Sequence, residues 1–175
     1  MAEATLGPSR GAAPLSQTEA GRLIALLLPI ALLGGAYGFQ YFGGLYPCEM
    51  CWWQRYPHAA AILLAALAFT APAVSRRSRT LTLLAALAIA ISGLIGVYHA
   101  GVELKIFEGF TTCTSTAKAA TTNELLKQIM AVPLIRCDQV QWSLFGVSLA
   151  GWNAIFSLGG AGLVAWLSVA GRRAR

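Results

Sequence analysis

Charge is what this sequence has least of. Asp, Glu, Lys and Arg make up 11% of its 175 residues, whereas an ordinary soluble domain carries about 25%. The shortage is organised along the chain. Four long segments hold no charge, or hold one only near their ends: Leu23 to Phe42, roughly Trp52 to Val74, Thr80 to Ala100, and Gly146 to Ala170. That pattern excludes a conventional water-soluble globule. The sequence also lacks any flavin, haem or nucleotide-binding motif, and no clear small-x-small cleavage site follows the first apolar run. That run is also too long for the core of a secretory signal, so it reads as a retained helix.

Each segment can cross a hydrocarbon core, which takes about 20 mainly apolar residues. A spanning segment must satisfy its backbone polar groups internally, so helices follow. The expected fold is an all-α membrane protein: an antiparallel bundle of four transmembrane helices, with a short interfacial helix in the second outer loop. Residues 1–20, rich in Ala, Gly, Pro and Ser, read as a disordered cytoplasmic tail. Residues 21–170 form the membrane domain, with outer loops at about 43–51 and 101–145, and residues 171–175 form a basic tail.

The formal net charge is +6, but its distribution argues against nucleic acid as a partner. Arg10, Arg22, Arg76, Arg77, Arg79, Arg172, Arg173 and Arg175 all fall on one side of a four-span topology. In the long connection, Lys105, Lys118, Lys127 and Arg136 are balanced by Glu103, Glu108, Glu124 and Asp138. The positive-inside rule then places both termini in the cytoplasm and the first and third connections outside.

All four cysteines lie in or beside those outer connections. They would face the compartment where disulfides persist, so charge bias and cysteine placement agree on the oxidising side. Cys48 and Cys51 form a Cys-Glu-Met-Cys motif, and a two-residue spacer is typical of redox-active pairs with shifted thiol pKa. Cys113 and Cys137 have 23 residues between them. Four cysteines allow three connectivities; proximity favours Cys48–Cys51 and Cys113–Cys137, with exchange between the pairs as the functional step. Two other readings remain: a pair of structural staples, or a four-thiolate zinc site.

Pro47 suits entry into the second helix, which puts Cys51 in its first turns. Helical spacing would set Arg55 on the same face as Cys51. A helix N-terminus and a guanidinium both stabilise a thiolate. Arg55 is the only charge beyond the entrance of that segment, and such residues need a named partner. The candidates are the Cys51 thiolate and a carbonyl of a bound ligand; the bland reading is a snorkelling interface anchor. Pro57 predicts a kink near Tyr56. Trp52, Trp53 and Tyr56 read either as an aromatic belt or as walls for a flat ligand. His99, at the outer end of the third segment, is a candidate hydrogen-bond donor or proton carrier, or simply a polar terminus. In the long loop, Thr121 to Glu124 has capping-box spacing, and Leu125, Leu126, Ile129 and Met130 follow at helical intervals before Pro133. This segment is too short to span and is expected along the membrane surface. Gly151, Gly159, Gly160 and Gly162 are expected to let the fourth helix pack closely, and Asn153 to bond within the bundle.

Together these residues resemble the DsbB family of bacterial disulfide-generating membrane proteins, over Gly21 to Trp166. The resemblance rests on the four-span layout, on Pro47-Cys-x-x-Cys51 with Arg55 four residues on, and on Cys113 and Cys137 in the second outer loop. Cys137-Asp-x-x-x-Trp142-x-x-Phe-Gly146 completes it. It implies four antiparallel helices around a quinone site (ubiquinone or menaquinone) in the bacterial inner membrane. It implies a periplasmic DsbA-like thioredoxin-fold partner that attacks Cys113, after which Cys137 engages Cys48 and releases Cys51 beside Arg55 to reduce the quinone. His99 and Trp52 fall near that site. Gln54 stands where the family often has Glu. Vitamin K epoxide reductases place their loop cysteines before the CxxC, the reverse of the order here. A scaffold with purely structural disulfides would leave the CxxC beside a membrane-entering arginine without a purpose.

Overall fold

The computed structural model of the chain describes residues 15–109, 121–123 and 135–173. Cys113 and residues 124–134 of the expected surface helix lie outside that range. Among the described residues, the fold is made of four long helices: α1 (Gln17–Tyr41), α2 (Glu49–Ala68), α3 (Arg76–Glu103) and α4 (Leu149–Arg173). Between α3 and α4, a minimal hairpin pairs β1 (Ser143–Leu144) with β2 (Val147–Ser148) in antiparallel register.

The helix starts are chemically marked. Ser16 caps α1 in a reciprocal box with Glu19: its Oγ accepts the Glu19 N–H, and Glu19 accepts the Ser16 N–H. The box draws Gln17 to Ala20 into α1, so the tail ends before residue 20. Ser75 caps α3 by accepting the Ser78 N–H. That cap places Arg76, Arg77 and Arg79, expected in a connection, inside the first turns of α3. The fourth segment departs from expectation at its start. Phe145 and Gly146 both have positive φ, 52° and 77°, the conformation that a two-residue hairpin turn requires. Helix α4 therefore begins at Leu149, three residues after Gly146.

Each helix packs on its neighbours in the chain, and α1 closes the ring against α4. Contacts at the two ends establish the antiparallel order. Arg22 near the start of α1 donates to the Ala68 and Ala71 carbonyls past the end of α2, at 3.3 and 3.1 Å, and to Ser78 of α3 at 3.4 Å. Gly21 beside it faces Leu167 and Ser168, late in α4. At the opposite end, Phe39 of α1 packs against Trp142, with ring centroids 4.9 Å apart.

The core is built of small side chains: Ala25, Ala61, Ala65, Ala85, Ala161, Ile89 and Val164. Large ones, including Leu27, Leu63, Leu84, Leu87 and Leu94, face outward and are exposed. This distribution suits helices whose packing relies on close backbone approach in an apolar surrounding. Three helices, α1, α3 and α4 as far as Ala170, are long and apolar enough to cross a membrane. Helix α2 carries Glu49, Gln54, Arg55 and His58 in its first three turns, and the last three are buried inside the bundle. The tight α3–α4 seam uses glycines other than those expected. An added Cβ on Gly93 would meet Leu158 and Ser157, and one on Gly96 would meet the backbone of Ala150 and Ala154 and the side chain of Asn153. Gly159 and Gly162 face open space, while Gly160 lies against Leu28.

Candidate active site

Cys48 ends the first connection and caps α2, its sulfur accepting the Cys51 N–H at 3.3 Å. The two thiols face each other with sulfurs 2.9 Å apart, Cys48 donating. From the other side of the sequence, Cys137 reaches the same point. Its sulfur takes hydrogen bonds from the Cys48 thiol and from the backbone N–H groups of Met50 and Glu49 in the first turn of α2. Cys48 and Cys137 are nearly sealed, at 4% and 1% exposure, and Met50, Val102, Tyr98 and Ile135 pack around them. Three sulfurs thus converge on one helix N-terminus, where unpaired N–H groups and the helix dipole favour negative charge.

The electrostatics differ between two of these sulfurs. The Cys48 hydrogen bond, with those from Met50 and Glu49, brings the Cys137 thiol down to about 7. Cys48 moves the opposite way, because it holds its proton in hydrogen bonds to Cys137 and Cys51. The segment carrying Cys137 is tied to the end of α3 by Asp138. That carboxylate meets Arg136 at 2.8 Å and Lys105 at 2.6 Å, and lies well below the usual range because of them, Arg136 first.

Helix α2 continues through Pro57 without a break. Arg55 nevertheless gives its hydrogen bonds to another helix. Its Nη1 donates to Gln40 Oε1 at 2.5 Å and its Nη2 to the Ala36 carbonyl at 3.2 Å, both on α1. Tyr37 and Trp52 flank the guanidinium, with ring centroids 4.7 and 4.9 Å away. Trp52 therefore covers the arginine rather than lining the cavity beside it.

That cavity, about 380 Å³, opens between α1, α2 and α4. Leu32, Ala36, Phe39, Trp142 and Phe156 give it aromatic and aliphatic walls, while Cys51 and Arg55 supply reactive and charged groups. A flat apolar ring with polar carbonyls matches this donor set. His99 also borders the cavity. Its Nε2 is 3.6 Å from Cys48 Sγ and its Nδ1 is 2.8 Å from Gln54 Nε2. Among the described residues, Cys48, Cys51 and His99 bring their ligand atoms within 4.8 Å of one another, close enough to hold a thiophilic metal ion.

Asn153 bonds within the bundle as expected, and its partners include His58 and Ser92, to which the sequence reading gave no part. Gln54 and His58 of α2, Ser92 of α3 and Asn153 of α4 form a buried network. Glu103, one turn beyond His99, is buried with Oε1 3.9 Å from the ring. Gln54 and His58 follow Cys51 and Arg55 at helical spacing, but nothing in the sequence sets them opposite Asn153.

The family profile of Disulfide bond formation protein DsbB matches residues 18–167. The disulfide bond formation protein B of Verminephrobacter eiseniae is 33% identical over 168 residues, covering 88% of this chain and 89% of the relative. The proteins of the same name in Shewanella sp. and Marinobacter nauticus are 28% and 26% identical. They cover 80% and 76% of this chain, and 81% of each relative is matched. No solved structure matches.

Proposed function

The chain belongs to the DsbB family of disulfide bond formation proteins, and from that premise we propose that it oxidises a periplasmic dithiol carrier and passes the electrons to a membrane quinone. The observation that carries this reading is the convergence of Cys137, Cys48 and Cys51 on the first turn of α2, with Cys51 on the wall of an apolar cavity.

The chemistry balances as follows. A DsbA-like, thioredoxin-fold carrier in its dithiol form attacks the sulfur of Cys113 in a Cys113–Cys137 disulfide, making a mixed disulfide and releasing Cys137 as a thiolate. Cys137 attacks Cys48 of the Cys48–Cys51 disulfide, and Cys51 leaves as a thiolate. The carrier's second thiol displaces Cys113 and leaves oxidised; Cys113 then displaces Cys48, restoring Cys113–Cys137. The reduced Cys48 and Cys51 close again by giving up two electrons. A quinone, when bound, supplies the acceptor for those two electrons and for the two protons taken from the carrier. Arg55 and the aromatic walls would hold it beside Cys51, and ubiquinone and menaquinone both fit that chemistry.

In this reading all four helices span the bacterial inner membrane. Both termini and the arginines that open α3 face the cytoplasm, and the cysteines face the periplasm. Helix α2 spans despite its polar groups because they turn inward and bond to neighbouring helices.

The test is oxidation of a reduced periplasmic thioredoxin-fold carrier by the purified protein in detergent, with and without quinone, each cysteine being replaced in turn. Turnover should require quinone and all four cysteines. Full quinone-dependent turnover by Cys51→Ser would sink the proposed electron path.

A further inference from the structure

Buried polar side chains of α2, α3 and α4 form one continuous hydrogen-bond chain, and two backbone carbonyls fix its direction. The side-chain nitrogen of Asn153 lies 3.2 Å from the Ser92 carbonyl. A carbonyl only accepts, so this atom is the amide nitrogen. Oδ1 is then the atom that meets His58 Nε2 at 2.9 Å and Ser157 Oγ at 3.0 Å. The Asn153 nitrogen also lies 2.7 Å from Gln54, which must present its Oε1 there. A second anchor agrees, since Gln54 Nε2 is 3.1 Å from the Met50 carbonyl. Gln54 therefore points an N–H at His99 Nδ1, 2.8 Å away.

Nδ1 of His99 must accept that bond, so the neutral ring carries its proton on Nε2. Both groups facing Nε2 can accept: Cys48 Sγ at 3.6 Å and Glu103 Oε1 at 3.9 Å. We infer that Asn153 and Gln54 are positioning residues that lock His99 as a hydrogen-bond donor to the Cys48 sulfur. The one lone pair on the ring is held by Gln54, so His99 does not serve as the base that removes the Cys48 proton. A fixed donor stabilises the negative charge that reaches Cys48 when Cys113 displaces it from Cys137. This rests on the thiol-oxidase reading for its purpose, but the ring's protonation stands on geometry alone.

The deciding measurement is the nitrogen NMR spectrum of the full chain, labelled on histidine, reduced and in detergent. The chain has only two histidines, and the same network gives His58 its proton on Nε2. Both rings should therefore show a protonated Nε2 and a bare Nδ1. A ring protonated on Nδ1 in the native protein overturns the inference. Gln54→Met removes the donor without adding charge. The two His99 nitrogen shifts should then converge as the ring samples both tautomers. The Cys48–Cys51 potential should fall by about 9 mV, a two-fold change in the exchange constant, because the ring then holds its donating tautomer only about half of the time. Unchanged tautomer and potential in a folded Gln54→Met protein would also overturn it. If that variant does not fold, the native spectrum still decides. Failure of quinone-dependent oxidation with both rings protonated on Nε2 would count against the functional reading alone. A proton on Nδ1 in an active oxidase would count against this inference alone.

Discussion

Gln40 and Arg55 are joined across the α1–α2 seam, the guanidinium donating to the amide oxygen at 2.5 Å. The arginine that sequence spacing pairs with Cys51 is thus aimed by a different helix. Its charge lies on the cavity wall, at 7% exposure, where a carbonyl-bearing ligand would meet it.

Arg55→Ala should raise the apparent KM for quinone about ten-fold, the scale of one charge-assisted hydrogen bond, with a smaller change in kcat. Gln40→Ala should shift KM in the same direction by less, because it releases the guanidinium without removing it. Quinone titrations of steady-state turnover give both values. Unchanged kinetics in both variants would mark Arg55 as an interface anchor.

In Cys137→Ser, the Cys113 thiolate should open the disulfide of an oxidised carrier and give a mixed disulfide, captured by acid quenching, since no Cys137 remains to displace the carrier. A non-reducing gel shows the adduct as a larger band that dithiothreitol removes. Absence of the band with active carrier would place the exchange elsewhere.

The Cys137 thiol is lowered to about 7, by the Cys48 hydrogen bond first and then by the N–H groups of Met50 and Glu49. The thiolate is the attacking form; while Cys48 is bonded to Cys51 it has no proton to donate, so only the Met50 and Glu49 N–H groups then favour that thiolate, and exchange should slow as pH falls. Single-turnover exchange should slow at least about ten-fold between pH 8 and pH 6, following the thiolate fraction. A flat profile over that range would contradict the helix-terminus account of Cys137.

Gly96→Val should destabilise the bundle by about 1–3 kcal/mol, the usual scale of overpacking. Its Cβ would press on the Ala150 carbonyl and the Ala154 backbone nitrogen, at 3.0 and 3.1 Å. Gly162→Ala, with nothing within 4 Å, should leave Tm unchanged or raise it slightly, by lowering the entropy of the unfolded chain. Thermal unfolding in detergent separates the two, and equal losses would mean the α3–α4 seam is loose.

How much was readable from the sequence varies from residue to residue. Cys48 and Cys51 were legible because a CxxC at a helix entry carries its geometry within four residues. His99 was legible as a polar group at a helix end, but its two partners, Cys48 and Gln54, lie 51 and 45 positions away. Trp52 was readable as an aromatic near Arg55, yet which face of the guanidinium it would cover depended on where α1 lies. Gln54 read as the loss of a carboxylate. Its part in the network became visible only once Asn153 stood opposite it, 99 positions along the chain.

By itself the sequence determined the helices, because charge scarcity and run length are local properties that backbone hydrogen bonding converts into helix directly. It also determined which sulfurs could share a compartment, since charge bias sorts whole connections. Only the tertiary structure decided what each polar side chain bonds. In a bundle with a core of alanine and glycine, the helices approach closely enough for single side chains to cross the seams, and the partner across a seam depends on register and rotation that no local pattern encodes. Arg55 illustrates the division: its place on α2 follows from spacing, and its hold on Gln40 follows from how α1 lies against that helix.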